Sequence, residues 1–286
     1  MIDEVRRRLR DAVRARIAGE DAEEHAQRIW ARPGDRRFCE TDPIWRVHSD
    51  ASMFAGGLRA LLLQSLHPLA MAGVAGHSGY RSDPLGRLQR TSHFIATTTF
   101  AVREDADRAV RIVRAVHKQV VGTAPDGRPY AASDPALLMW VHAAEIDSFL
   151  VTYQRFGAAQ LTATEADEYV AQTAQTAEAL GVQGAPRSLA ELGAVLDEYR
   201  PELQATPEAL DVAKFLLVQP PVPLLARGGY AGLALAAAST LPAWALAMLR
   251  IPRIPLVTPA VGGAVGSAAV RTVRWIMSAE PRPVPH

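Results

Sequence analysis

The sequence predicts an all-α fold, a single globular multi-helix domain. Three observations carry that reading. Apolar residues recur at three- and four-residue spacing, residues that start and stop helices punctuate the chain, and alternating polar–apolar stretches are nearly absent, with aromatic content at 6%. Roughly eight to ten helices are expected from this punctuation.

Taken in chain order, Met1–Gly19 sets Val5, Leu9, Val13 and Ile17 at every fourth position beside Arg6, Arg7, Arg8, Arg10, Arg14 and Arg16, an amphipathic helix without the apolar run of a secretion signal. Its stripe suits docking on the core, and its basic face suits an anionic membrane. Ala31–Pro43 reads as a linker, so residues 1–42 precede a main domain over 43–280, and a proline-rich tail covers 281–286. His67–Arg87, with Pro68, Gly73, Gly76, Gly79, Pro84 and Gly86, reads as a long functional loop. Glu104–Val121 is helical, with Val110, Val113, Val116 and Val120 in period. Asp134-Pro135 opens a helix as N-cap and first-turn proline, and Gly157 closes it. Thr162 with Glu165 and Ser188 with Glu191 form capping boxes; Gly181 ends the first of these helices, and Thr206-Pro207 starts another. Gln219–Pro223 breaks the chain. Gly228–Leu249 and Ile254–Val270 carry no charge. The first is long enough for a membrane span, but its Ala content and Pro242 favour a buried core helix.

Charge nearly cancels, 31 Lys+Arg against 30 Asp+Glu, which argues against a nucleic-acid binder. One cysteine, Cys39, excludes disulfides, cysteine zinc sites and iron–sulfur clusters, and the chain is expected in the cytoplasm. Nucleophile elbows, phosphate loops, H-E-x-x-H and paired Glu-x-x-His motifs are all missing.

Eight histidines remain. His142 falls in the stripe Leu138, His142, Ile146, Phe149, Tyr153, and His117 in the stripe Val110, Val113, His117, Val120. An imidazole in an apolar seam needs a hydrogen bond or a metal, since an unmet polar group costs about 1–3 kcal/mol. A core histidine bonded to backbone and a shared ligand site both fit. Glu145 reads as water-facing. Haem is the metal group that asks for a single protein nitrogen and a broad apolar slot. Arg111 and Arg114, beside His117, and Arg87 and Arg90, after the glycine-rich stretch, offer cations for carboxylates or serve as surface charge.

Several phrases occur together and in order: Leu61-Leu62-Leu63-Gln64 with His67-Pro68, Gly73-Val74-Ala75-Gly76-His77-Ser78, Asp83-Pro84-Leu85-Gly86-Arg87-Leu88, His117 through Val121-Gly122, Tyr130-Ala131-Ala132-Ser133-Asp134-Pro135, and Trp140-Val141-His142 with Phe149. In this set the chain resembles the bacterial and fungal family that includes latex clearing protein, a rubber oxygenase, and the oxygenase of the mycophenolic acid pathway. The resemblance implies a globin-reminiscent bundle holding non-covalent haem b over residues 43–280, with His142 as iron ligand; His67, Arg87 and Arg90 are further candidates to bind the cofactor. It places Arg111, Arg114 and His117 on the distal side, with Arg114 and Ala115 where the rubber enzyme has Lys and Thr. It implies an oxygenase that takes dioxygen and an apolar, isoprenoid or lipid-like substrate, with cleavage of a carbon–carbon double bond as the reaction of characterised members. The alternative is a non-catalytic haem-binding or lipid-binding helical protein. Peripheral membrane contact and a homodimer are further options.

Overall fold

The computed structural model describes residues 2–18, 22–77, 83–220, 222–252 and 261–278. These form fourteen α-helices and one short hairpin, so the all-α expectation holds. The excess over the expected number comes from short helices such as Pro43–His48 and Ala243–Met248, six residues each, which are too short to display a period.

The N-terminal arm consists of α1 (Ile2–Ala18) and α2 (Ala22–Trp30). Trp30 at the end of α2 stacks on Phe100 at 4.7 Å, and Trp45 meets both rings edge-on. Trp45 belongs to α3 (Pro43–His48). The linker between them is fixed by Arg36, whose guanidinium donates to the carbonyls of Ile29, Trp30, Arg32 and Phe100.

Next come α4 (Met53–Gln64), α5 (Pro68–His77), α6 (Pro84–Phe100) and α7 (Arg103–His117). The presence of α5 corrects the expected loop at His67–Arg87. Its glycines serve close packing rather than a turn. A Cβ on Gly73 would lie 3.6 Å from the Tyr130 ring, and one on Gly76 would lie 3.0 Å from the Tyr130 hydroxyl. Ser78 to Ser82, with Gly79, lie outside the described residues. Tyr130 sits in the hairpin of β1 (Val121–Thr123) and β2 (Pro129–Ala131), where Gly122 faces it across the pair.

The hairpin leads into α8 (Pro135–Phe156), the longest helix and the axis of the molecule. Asp134 caps it by accepting from the Ala136 N–H at 2.9 Å, as expected. Buried residues surround α8 on most sides, the pattern of a helix inside a core. Ile146, Phe149, Leu150 and Tyr153 meet Trp45 and Phe100. Trp140 and Ala144 meet Leu62, Leu63 and Leu66 of α4 and its end. Arg59 of α4 is buried and bonds Asp147 at 2.7 Å, Ser148 at 2.8 Å and the Thr240 carbonyl at 3.1 Å. Gly157 ends α8 in extended backbone. A Cβ there would lie 2.5 Å from the Tyr153 carbonyl oxygen, so glycine answers a close approach.

Beyond it, α9 (Ala163–Leu180) has the full Thr162–Glu165 capping box and ends at Gly181, φ +121°. At α10 (Leu189–Tyr199) the expected box is half formed. Ser188 accepts from the Glu191 N–H, but the Glu191 carboxylate takes the Arg187 N–H at 2.6 Å. Thr206 caps α11 (Pro207–Leu217).

Gly228–Leu249 is not one helix. Pro242 divides it into α12 (Arg227–Thr240) and α13 (Ala243–Met248). The alanines of α12 are buried against α14 (Val261–Met277), where a Cβ on Gly232 would sit 2.6 Å from Ala269 Cβ and one on Gly266 2.7 Å from Ala236 Cβ. The start of the second uncharged run and the tail lie outside the described residues. Among the described residues no single helix is long and apolar enough to cross a membrane. The α4–α5 pair, bent by 108°, passes by length and composition together.

Candidate functional site

The α8 stripe forms as its spacing requires. Leu138, Ile146, Phe149 and Tyr153 are all buried, and His142 stands among them. Its Nε2 is buried and has no hydrogen-bond partner among the described residues. Burial pushes its pKa down to about 4, so the ring is neutral at physiological pH and keeps a lone pair available. A neutral imidazole with an unmet buried nitrogen is the arrangement that a ligand would complete.

His117 repeats this on a second helix. Its Nδ1 is buried without a partner, and burial lowers its pKa. The inward side of α7 carries Ala106 and Val110, both buried. Arg114 anchors the end of α7 to α9 by donating to the Ala179 carbonyl at 3.1 Å, while Leu138 of α8 packs on Ala174 and Ala177 of α9. The two histidine-bearing helices therefore share α9 as a support.

Glu145, three residues after His142, neighbours it on the helix surface. It is half-buried rather than fully water-facing. Burial raises its pKa to about 7, and no hydrogen bond or ion pair engages it among the described residues. Sequence reasoning missed this partly desolvated acid; the i+3 spacing from a seam histidine was the available signal. Nearby polarity is satisfied in pairs. His48 Nδ1 meets Thr99 Oγ1 at 2.8 Å and His48 Nε2 meets the Tyr169 hydroxyl at 3.3 Å, and burial takes the His48 pKa down to about 3.

The remaining candidates stand apart. His67 is fully buried but occupied: Nδ1 accepts from the Ala70 N–H at 3.5 Å, at the head of α5, and Nε2 lies 3.5 Å from the Glu202 carboxylate. Its ring packs on Trp140, two residues before His142. Arg87 is half-buried, and desolvation together with the nearby charge of Arg90 lowers its pKa. Arg90 is exposed and pairs with Asp83 at 3.1 Å. Arg111 and Arg114 are exposed, so of the distal trio only His117 turns inward.

A cavity of about 390 Å³ opens between α8, α9 and α10, lined by Leu150, Val151, Ala166, Leu189, Leu192 and Leu196. Leu150 and Val151 lie on a different side of α8 from His142. No three His, Cys, Asp or Glu side chains converge into a metal-binding group among the described residues. His142 Nε2 is thus a buried donor that belongs to no such three-residue group.

The family model for the catalytic domain of the ER-bound oxygenase mpaB/B′ and rubber oxygenase matches residues 45–275. The chain belongs to this family. Its membership in the mpaB/rubber oxygenase family points to an oxygenase and accounts for the ordered phrases from Leu61 to Phe149, all inside the matched span. No curated protein and no solved structure matches the chain.

Proposed function

We propose that this member of the family is a haem b-dependent oxygenase using dioxygen on an apolar, isoprenoid or lipid-like substrate, with oxidative cleavage of a carbon–carbon double bond as its reaction. The observation that carries the proposal is the buried, unpartnered and neutral Nε2 of His142.

His142 is the residue that would hold the iron. Bound haem would supply the iron that activates dioxygen, with His142 as the ligand from this chain. The Leu138–Tyr153 stripe and Val110 keep water away from the inward faces of α8 and α7. His117, on the inner side of α7, can donate or accept a proton through its unmet Nδ1. Arg87 is the desolvated cation suited to a carboxylate, with Arg90 at the same end of α6. Arg114 holds α7 against α9 through the Ala179 carbonyl, and so sets the position of His117, while Arg111 is exposed on the same helix. His67 acts through Trp140, holding the start of α8 in place. In the cleavage, one dioxygen is consumed per double bond, and its two oxygen atoms finish as two carbonyl oxygens.

The test is optical. Purified or haem-reconstituted protein should show a Soret band, and His142→Ala should lose or shift it. Acid should release the cofactor as His142 takes a proton, at a pH below the free ring's value of about 4, because iron and proton compete for the same nitrogen. Protein that stays colourless after reconstitution, or a His142→Ala spectrum identical to the parent, overturns the proposal. Oxygen uptake with a panel of alkenes separates an oxygenase from a haem protein without turnover.

A further inference from the structure

We propose that the cavity between α8, α9 and α10 is a second binding site, and that its ligand is an uncharged aliphatic chain. Its volume of about 390 Å³ lies within the range of small-molecule sites. Two helix faces wall it. Asp147, Val151 and Gln154 follow a spacing of four and three along α8, which sets them on one stripe about 140° around the helix from His142. Leu189, Leu192, Gly193 and Leu196 stand at i, i+3, i+4 and i+7 of α10, one apolar face of that helix. Leu192 and Ala166 of α9 are buried and form the inner wall. Leu189 is 41% exposed and Gly193 is exposed, so the cavity opens along α10.

Gly193 distinguishes this space from an ordinary packing gap. Glycine inside a helix is destabilising relative to alanine, and a structure gains from it where something must come close or the backbone must turn left-handed. Neither holds here. Gly193 has no positive φ, and a Cβ on it would meet nothing within 4 Å. Gly232 and Gly266 differ, since each answers the close approach of an alanine. What the missing side chain of Gly193 leaves is open space at the rim of the cavity.

The walls choose the chemistry of the ligand. The Asp147 carboxylate is held by Arg59 at 2.7 Å. The Gln154 side chain closes on the backbone of Leu161, donating to its carbonyl at 3.0 Å and accepting from its N–H at 2.8 Å. Arg155 extends to the first turn of α14, where its guanidinium lies against Gly263. A charged ligand would surrender its water to side chains that are already engaged. No aromatic ring stands among the lining residues, so a flat ring system finds no stacking partner. Methylene groups against leucine, valine and alanine gain by leaving water. The site is separate from the iron site proposed above and stands without the haem assignment.

The experiment is photolabelling of the full chain with a decanol analogue that carries a diazirine at the end of its chain. Tandem mass spectrometry locates the label, and circular dichroism melting follows the fold. Label is expected on α10 between Leu189 and Leu196 and on α8 between Asp147 and Gln154, and plain decanol should compete it away. Gly193→Leu, whose side chain enters the open rim, should cut this label about fivefold or more, and Gly193→Ala should cut it less. Both should melt no earlier than the parent, because the added atoms meet open space. If Gly193→Leu melts early, Leu189→Gln on the exposed rim replaces it and should show the same loss. Label that decanol does not displace, or that these variants leave undiminished, overturns the proposal. So does label gathered around His142 or on α7, which would assign the chain to the iron site. Stronger labelling of the same residues by the matching decanoic acid probe overturns the uncharged class. A dimer in sedimentation velocity that Gly193→Leu dissolves would give the cavity to a second copy, and overturns the proposal as well.

Discussion

At the residue scale, α8 holds two partly buried, desolvated titratable groups one turn apart that respond to pH in opposite directions. Glu145 is raised to about 7 from an ordinary 4.5, so the folded chain keeps a proton that the unfolded chain gives up between those values. Stability from this group is present below about 4.5 and falls as pH rises to about 7, a loss of about 3 kcal/mol in total. Glu145→Gln should therefore flatten the stability profile across that window and raise the melting temperature at pH 8, measured by thermal melts over a pH series. An unchanged slope would place the carboxyl in water. His142 runs the other way. Its depressed pKa contributes stability above 6.5 that is lost as pH falls toward about 4, and His48 adds to the acid sensitivity down to about 3.

The buried ion pair between Arg59 and Asp147 belongs to the same scale. Arg59 also holds Ser148 and the Thr240 carbonyl, so one guanidinium ties α4, α8 and α12 together. Asp147→Ala leaves that charge without its carboxylate and should cost about 3–5 kcal/mol in chemical denaturation. Adding Arg59→Met should recover part of the loss rather than double it.

At the element scale, the sequence made helix starts legible because caps are local. Asp134, Thr162 and Thr206 each bond the backbone that their spacing specifies. The seam histidines were legible for the same reason, since a three-to-four residue period assigns a face without knowledge of the partner. What escaped was set by contacts distant in the chain. Gly73 and Gly76 looked like loop residues because Tyr130, which needs their missing side chains, lies more than fifty positions away. Glu145 escaped because a position flanking a stripe can be wet or dry, and only the packing of neighbouring helices decides which. Pro242 was visible, but the apolar length around it hid the break between α12 and α13. The glycines of the last helices give a test with opposite signs. Gly266→Ala drives a methyl into Ala236 and should destabilise by about 1–3 kcal/mol. Gly193→Ala in α10 meets nothing within 4 Å and should stabilise by up to about 1 kcal/mol. Denaturation midpoints of the two variants moving in the same direction would contradict this packing.

At the scale of the whole molecule, the architecture is a central α8 wrapped by α4, α9, α10 and α14, with the N-terminal arm closing over α6. This explains why composition and periodicity reached the all-α class while the arrangement around His142 needed coordinates. A helix buried on most sides carries a weak amphipathic signal, so the sequence does not reveal which neighbour faces which residue. It also explains how one side chain can be neutral and unpartnered at the centre of a stable fold, because the surrounding shell is closed by contacts that do not involve it.

The first and last described helices meet. Arg6 of α1 stacks over Trp275 of α14 at 4.8 Å and donates to its carbonyl, across 269 positions of chain. Arg274 of the same helix grips Asp50 through two bonds and holds the Phe156 carbonyl at the end of α8. The polypeptide is thus stitched into a closed circuit in space, although it is linear in covalent terms. A protease nick in a connecting segment would leave two pieces still clasped at this seam, so fragments cut between α10 and α11 should co-elute and parent-like activity should survive their mixing.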